Sequence, residues 1–144
     1  MKKLMTCLLA ILMLLALTAQ AETFKVGMEC NYAPFNWTQA KASDFTVPLA
    51  AGGYADGYDV QVALFIAAEL GLELEIVKTE WDGLPLALTS GKIDAIIAGM
   101  SPTAQRKATL DFSDPYYESD LVIVVNKGSQ FASAESLSDF AGAK

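Results

Sequence analysis

The sequence predicts an α/β domain in which parallel strands are crossed by helices. Two observations predict it. Hydrophobic periodicity alternates strand, helix, strand, helix, strand between Thr23 and Ala98, and the connections after the first helix are too short for anything but a close return onto one sheet.

Thr23 to Met28 (T-F-K-V-G-M) alternates and is rich in β-formers, so it reads as the first strand. From Asn31 to Gly57 neither period is sustained, and Pro34, Pro48, Gly52, Gly53 and Gly57 punctuate the chain. That stretch is expected to be irregular, and long loops in compact domains are commonly disordered or functional. Tyr58 to Leu70 is a helix, with Val60, Ala63, Leu64, Ala67 and Leu70 at helical spacing and Gly71 as its stop. Leu72 to Thr79 alternates apolar against charged, the mark of a strand with one wet face or edge. Trp81 to Ser90 reads as a short helix ended by Gly91, and Ile93 to Ala98 as a mostly buried strand. Pro102 biases Ser101 towards extended backbone, so this strand is expected to run on to Ser101 before Thr103 opens a short helix. Further on, Leu121 to Asn126 (L-V-I-V-V-N) reads as a strand, and Ser136-Leu137-Ser138-Asp139 has the spacing of a capping box.

Composition narrows the function classes. Of 144 residues 53% are apolar and 19% charged, which is too greasy for a disordered chain. The net charge of −7 argues against a nucleic-acid binder, whose affinity comes from Lys and Arg. With no histidine and two cysteines, histidine catalysis and the usual zinc cages are excluded, and no metal or cofactor is expected.

The N-terminus has the three parts of a secretory signal: Lys2-Lys3, an apolar run from Leu4 to Leu17, and Ala19-Gln20-Ala21 before Glu22. The run is shorter than the roughly 20 residues that span a bilayer. Cleavage after Ala21 removes Lys2 and Lys3, taking the charge from −7 to −9, and exports an acidic protein to the periplasm or extracytoplasmic space. Cys7 precedes the apolar run, so it is no lipidation site. It leaves with the signal, so Cys30 stays single; with nothing basic near it in sequence it reads as a small buried or half-buried residue, the alternative being a reactive thiol.

In open parallel sheets, ligands bind beyond the carboxyl ends of the strands, which directs attention to the segments after Met28, Thr79 and Ala98. The chain has nine lysines and one arginine, and Arg106 follows the third strand in Gly99-Met100-Ser101-Pro102-Thr103-Ala104-Gln105-Arg106. A hydroxyl at Thr103, helix N–H groups and a guanidinium one turn on would together suit a carboxylate. The same spacing also fits an ordinary capped helix carrying a surface arginine. Tyr32 and Trp81, in the other two segments, are either faces that grip a small molecule or core aromatics. Glu29 is either a partner for a polar or cationic group or a solvated strand-end carboxylate.

These residues resemble the extracytoplasmic solute-binding proteins of polar-amino-acid ABC importers, solute-binding protein family 3, from Phe24 to about Asn126. The marks are Tyr32-Ala33-Pro34-Phe35, Gly57-Tyr58-Asp59-Val60, Trp81-Asp82-Gly83-Leu84, Gly91-Lys92-Ile93-Asp94-Ala95, Met100-Ser101-Pro102-Thr103 with Arg106, and Asp111-Phe112-Ser113-Asp114-Pro115-Tyr116. Each is weak alone; their order and spacing make the match specific.

The resemblance implies a periplasmic-binding-protein-like (type II) two-lobed α/β fold, here with most of lobe 1 and the start of lobe 2. The implied divisions are 1–21 signal, 22–120 lobe 1, 121–127 hinge strand and 128–144 the opening of lobe 2. It implies a monomeric, non-enzymatic binder that captures a free polar amino acid, with a lean towards basic side chains, and delivers it to the permease subunits of an ABC importer. Arg106 and Thr103 would hold the ligand α-carboxylate, Gly99, Met100 and Ser101 would line the site, Tyr32 and Trp81 would sandwich the side chain, and Glu29 would meet its polar head. The stretch 36–57 is longer than the family's hairpin there. The chain is expected to be the N-terminal part of a longer protein, gaining little stability from any amino acid alone because closure of two lobes desolvates the ligand. Competing readings on the same fold are the sensor lobe of a receptor kinase and an enzyme, a dehydratase or peptidoglycan lyase, although the sequence offers no local acid/base pair for the latter.

Overall fold

The computed structural model describes residues 22–143, so the expected signal at 1–21 lies outside the described residues. They form two compact units that divide between Phe112 and Ser113, ahead of the 120/121 boundary implied by the resemblance.

The first unit is built on a three-stranded parallel sheet. Strand β1 (Thr23–Met28) pairs along its whole length with β6 (Glu73–Lys78), Thr23 opposite Glu73 and Met28 opposite Lys78, and on its other side with β7 (Ala95–Ile96). The order β6-β1-β7 puts β1 in the centre. Helix α1 (Tyr58–Leu70) leads into β6, and a 3₁₀ turn (Trp81–Gly83) continuing into α2 (Leu84–Thr89) leads into β7. The expected strand–helix–strand–helix–strand order is therefore present. Position in the sheet explains the burial: Val26 to Met28 on the central strand are buried without alternation, while β6 at the edge keeps its charged residues wet. Val26, Met28, Val60, Ala63, Ile76, Leu84 and Ile93 form the heart of the core.

Three expectations are corrected. The stretch expected to be irregular holds a second, antiparallel sheet of β2 (Asn31–Tyr32), β3 (Asn36–Gln39), β4 (Val47–Pro48) and β5 (Tyr54–Asp56), ordered β2-β3-β5-β4. Strands of two to four residues are too short to show a period, so pairing alone reveals them. The third parallel strand is two residues long and does not reach Ser101. Backbone bonds from Asp94 to the Lys25 carbonyl and from Ile97 to the Gly27 carbonyl flank it, and Gly99 then turns the chain with φ of 61°, upstream of any influence from Pro102. Finally, Leu121 to Asn126 forms no strand. Leu121 is 102% and Val124 89% exposed, and no strand occurs among the described residues of the second unit, so β-branched composition finds no ladder partner there.

In the second unit a 3₁₀ turn (Leu137–Phe140) has its predicted start: the Asp139 carboxylate accepts N–H bonds from Glu135 at 2.9 Å and Ser136 at 2.8 Å. Those bonds, the one from Glu135 foremost, hold the Asp139 carboxyl below its ordinary range. No helix among the described residues is long and apolar enough to cross a membrane.

Candidate functional site

The segments after β1, β6 and β7 carry the candidate residues, and the structure shows how each is held. The first is set by a buried polar chain. Asn36 and Asp59 are both 0% exposed, and the Asn36 amide donates to the Asp59 carboxylate at 2.7 Å. The Asn36 carbonyl oxygen accepts the Cys30 N–H at 2.8 Å, and the Thr38 hydroxyl donates to the Cys30 carbonyl at 3.0 Å. Cys30 lies in the left-handed region with φ of 55°, a conformation that persists only where surroundings over-determine it, and these bonds do so. Burial pushes the Cys30 thiol up to about 11 against a weaker downward pull from Lys78, so the thiol stays protonated.

The same segment caps α1. Tyr58 N–H donates to the Pro34 carbonyl and Asp59 N–H to the Phe35 carbonyl, satisfying two of the helix's orphan donors. Gly57 permits this approach: its φ is 125°, and a Cβ there would lie 2.2 Å from the Phe35 oxygen. Tyr32 is thereby presented on a braced turn, its ring stacked on Phe35 at 5.2 Å between centroids. Tyr32 also lies over Gly99, where an added Cβ would sit 3.6 Å from the ring.

The other two segments meet at Arg106. Its carbon Cζ lies 5.3 Å from the centre of a Trp81 ring, and its Nη1 donates to the Ser101 carbonyl at 3.0 Å. Thr103 caps the one-turn helix α3 (Ala104–Lys107), its Oγ1 accepting the Arg106 N–H at 3.3 Å. Among the described residues no carboxylate pairs with the guanidinium. Its remaining N–H donors form a planar edge that matches a carboxylate. The expected Thr103 and Arg106 are therefore neighbours, joined through the Arg106 backbone N–H, although α3 is too short to add an anion site of its own.

The structure thus brings together Trp81, Ser101, Thr103 and Arg106 by direct contact, and Tyr32 with Gly99. Glu29 follows β1 and is half-buried, with no hydrogen bond to the others among the described residues, and Met100 packs against the core. Trp81 is partly buried against the core, as the core alternative expects, and also touches Arg106. The sequence reading missed Asn36, Asp59 and Thr38. An acid in the first turn of α1 is an ordinary helix-start signal, and nothing in its spacing marks it as buried. Among the described residues no group of three His, Cys, Asp or Glu side chains is placed to hold a metal ion.

The first unit is thus a parallel-sheet lobe that carries the chain's one arginine, with Trp81 and Thr103 against it, beyond the ends of its strands. The chain belongs to the bacterial extracellular solute-binding proteins, family 3, whose profile matches residues 24–139. Among its relatives, a probable histidine-binding protein of Campylobacter jejuni is 38% identical over 85% of this chain and 42% of that protein. The arginine-binding extracellular protein ArtP of Bacillus subtilis is 32% identical over 78% of this chain and 39% of that protein. Similar solved structures include an ancestral cationic amino acid solute-binding protein, with TM-score 0.56 and 37% identity over 66% of this chain and 37% of that one. The arginine-bound form of domain 1 from TmArgBP matches at TM-score 0.56 and 38% identity over 66% of this chain and 67% of that one. The fold is accordingly that of periplasmic amino-acid-binding proteins, with partial coverage of one lobe. The chain spans about two-fifths of the length of these two curated relatives.

Proposed function

We propose that this chain supplies the carboxylate-gripping lobe of an exported, non-enzymatic substrate-binding component of an ABC importer, which captures a cationic amino acid and hands it to the membrane permease. The observation that carries the reading is Arg106, the chain's one arginine, held by Trp81 and the Ser101 carbonyl beside Thr103. The α-carboxylate of the ligand pairs with its open edge and with the Thr103 hydroxyl, while Tyr32 and Gly99 flank the ligand and Glu29 offers a negative charge to a cationic head. Relatives named for arginine and histidine binding support the cationic class. Export through a cleaved 1–21 signal and a monomeric state complete the proposal.

A domain 1 in an arginine-bound form also supports binding by one lobe alone, against the expectation that two-lobe closure is required. Calorimetric titration of the chain with L-arginine, L-histidine, L-glutamine and L-cystine tests the reading. A preference for L-arginine or L-histidine is expected, and Arg106→Ala should abolish detectable binding because the buried carboxylate would lose its charge partner. No heat with any amino acid, or an unchanged dissociation constant in Arg106→Ala, would overturn it.

One observation favours a second reading. A precursor of cyclohexadienyl dehydratase is among the similar structures, at 39% identity, which keeps a dehydratase on this fold in view. Turnover of a cyclohexadienyl acid, followed by ultraviolet absorbance, would establish it.

A further inference from the structure

We propose that Trp81 is a positioning residue for Arg106: its indole face and the Ser101 carbonyl fix the guanidinium so that the remaining N–H edge is presented to the ligand carboxylate. This rests on the carboxylate-binding reading above and gives Trp81 a task distinct from gripping the ligand side chain. Arginine carries considerable rotamer entropy, and an unanchored guanidinium would lose it at the moment of binding. Here two contacts hold the head in advance. The ring lies 5.3 Å from Cζ, inside the range of cation–π attraction, and Nη1 is 3.0 Å from the Ser101 oxygen.

The choice of an aromatic partner has a chemical consequence. A carboxylate would hold the guanidinium by occupying its in-plane donors and by neutralising the charge that attracts the ligand. An aromatic ring within cation–π range attracts the cation without accepting those N–H bonds, so the anion-binding edge stays open. The backbone adds a third restraint, because the Arg106 N–H is fixed on Thr103 Oγ1. Trp81 is itself anchored, partly buried against the core at the start of the 3₁₀ turn that follows β6.

The single arginine makes the test direct. In the ¹⁵N-labelled, ligand-free chain one side-chain Nε–H correlation arises from arginine, and stacking on Trp81 displaces it upfield. Trp81→Leu should return that resonance to the position of a solvated arginine, and Trp81→Phe, which keeps a ring, should retain part of the displacement. In titrations with L-arginine and with agmatine, its decarboxylated analogue, Trp81→Leu should cut the preference for L-arginine by about tenfold, and Trp81→Phe should largely restore it. An unshifted Nε–H in the wild-type chain would overturn the proposal. So would Trp81→Leu weakening both ligands by the same factor, which would assign Trp81 to the ligand side chain. Should the wild-type chain bind neither ligand, the functional reading fails and the resonance position still decides whether Trp81 holds Arg106.

Discussion

Asn36→Ala removes both polar groups of a side chain that water does not reach. Asn36 is 0% exposed; its oxygen accepts the Cys30 N–H at 2.8 Å and its amide donates to the Asp59 carboxylate at 2.7 Å. Leaving a buried N–H unsatisfied costs about 1–3 kcal/mol, and a hydrogen bond to a charged group contributes about 1.5–3 kcal/mol. Both losses share one side chain and relax together, so the expected destabilisation is about 3–5 kcal/mol, a large fraction of the stability of a domain this size. Urea unfolding followed by tryptophan fluorescence measures it as a fall in midpoint at constant slope. Because Cys30 depends on Asn36 for its left-handed backbone, ligand affinity should fall as well, through displacement of the Tyr32 turn. A loss below about 1 kcal/mol would refute the reasoning, since it would mean that water or another group satisfies both partners without Asn36.

The Cys30 thiol gives a pH signature. Its ordinary value of 9.0 rises to about 11 in the fold, so its contribution is fully present below pH 9 and is lost as pH climbs towards 11, where the unfolded chain releases the proton and the folded chain does not. Wild-type stability should therefore fall through that window more steeply than that of Cys30→Ala, by up to roughly 1.4 kcal/mol per pH unit; parallel curves would contradict it. Gly57→Ala should cost more than about 3 kcal/mol by urea unfolding, because the added carbon would sit 2.2 Å from the Phe35 oxygen at a φ of 125°.

What the sequence made legible follows from the length of each signal. The helix over Tyr58–Leu70 appears with its predicted bounds because thirteen residues carry several turns of pattern and Gly71 closes them in the left-handed region. The parallel sheet was readable from the order of elements, and Arg106 with Thr103 from their spacing beyond a strand end. The small antiparallel sheet was not, because pairs such as Asn31 with Trp37 or Val47 with Ala55 are non-local and leave no period. Leu121 to Val124 shows the opposite error, strong strand composition without a partner strand. In the site, residue identity suggested which groups meet a ligand but not what holds them. Trp81 beneath a guanidinium and Asp59 behind Asn36 are facts of packing between segments far apart in the chain.

Two separate devices orient the two sides of the site. On one, hydrogen bonds through Asp59, Asn36 and Thr38 set the turn that bears Tyr32; on the other, Trp81 and the Ser101 carbonyl set Arg106. They approach each other where the Tyr32 ring lies over Gly99, close enough that an added Cβ would sit 3.6 Å from the ring. Groups without shared partners contribute additively, typically within about 0.5 kcal/mol. A double-mutant cycle on L-arginine affinity with Asn36→Ser and Trp81→Phe, both milder than the truncations above, should therefore close within that margin. A coupling well above it would show that the Tyr32–Gly99 contact transmits position across the site, so that the aromatic turn and the arginine form one unit.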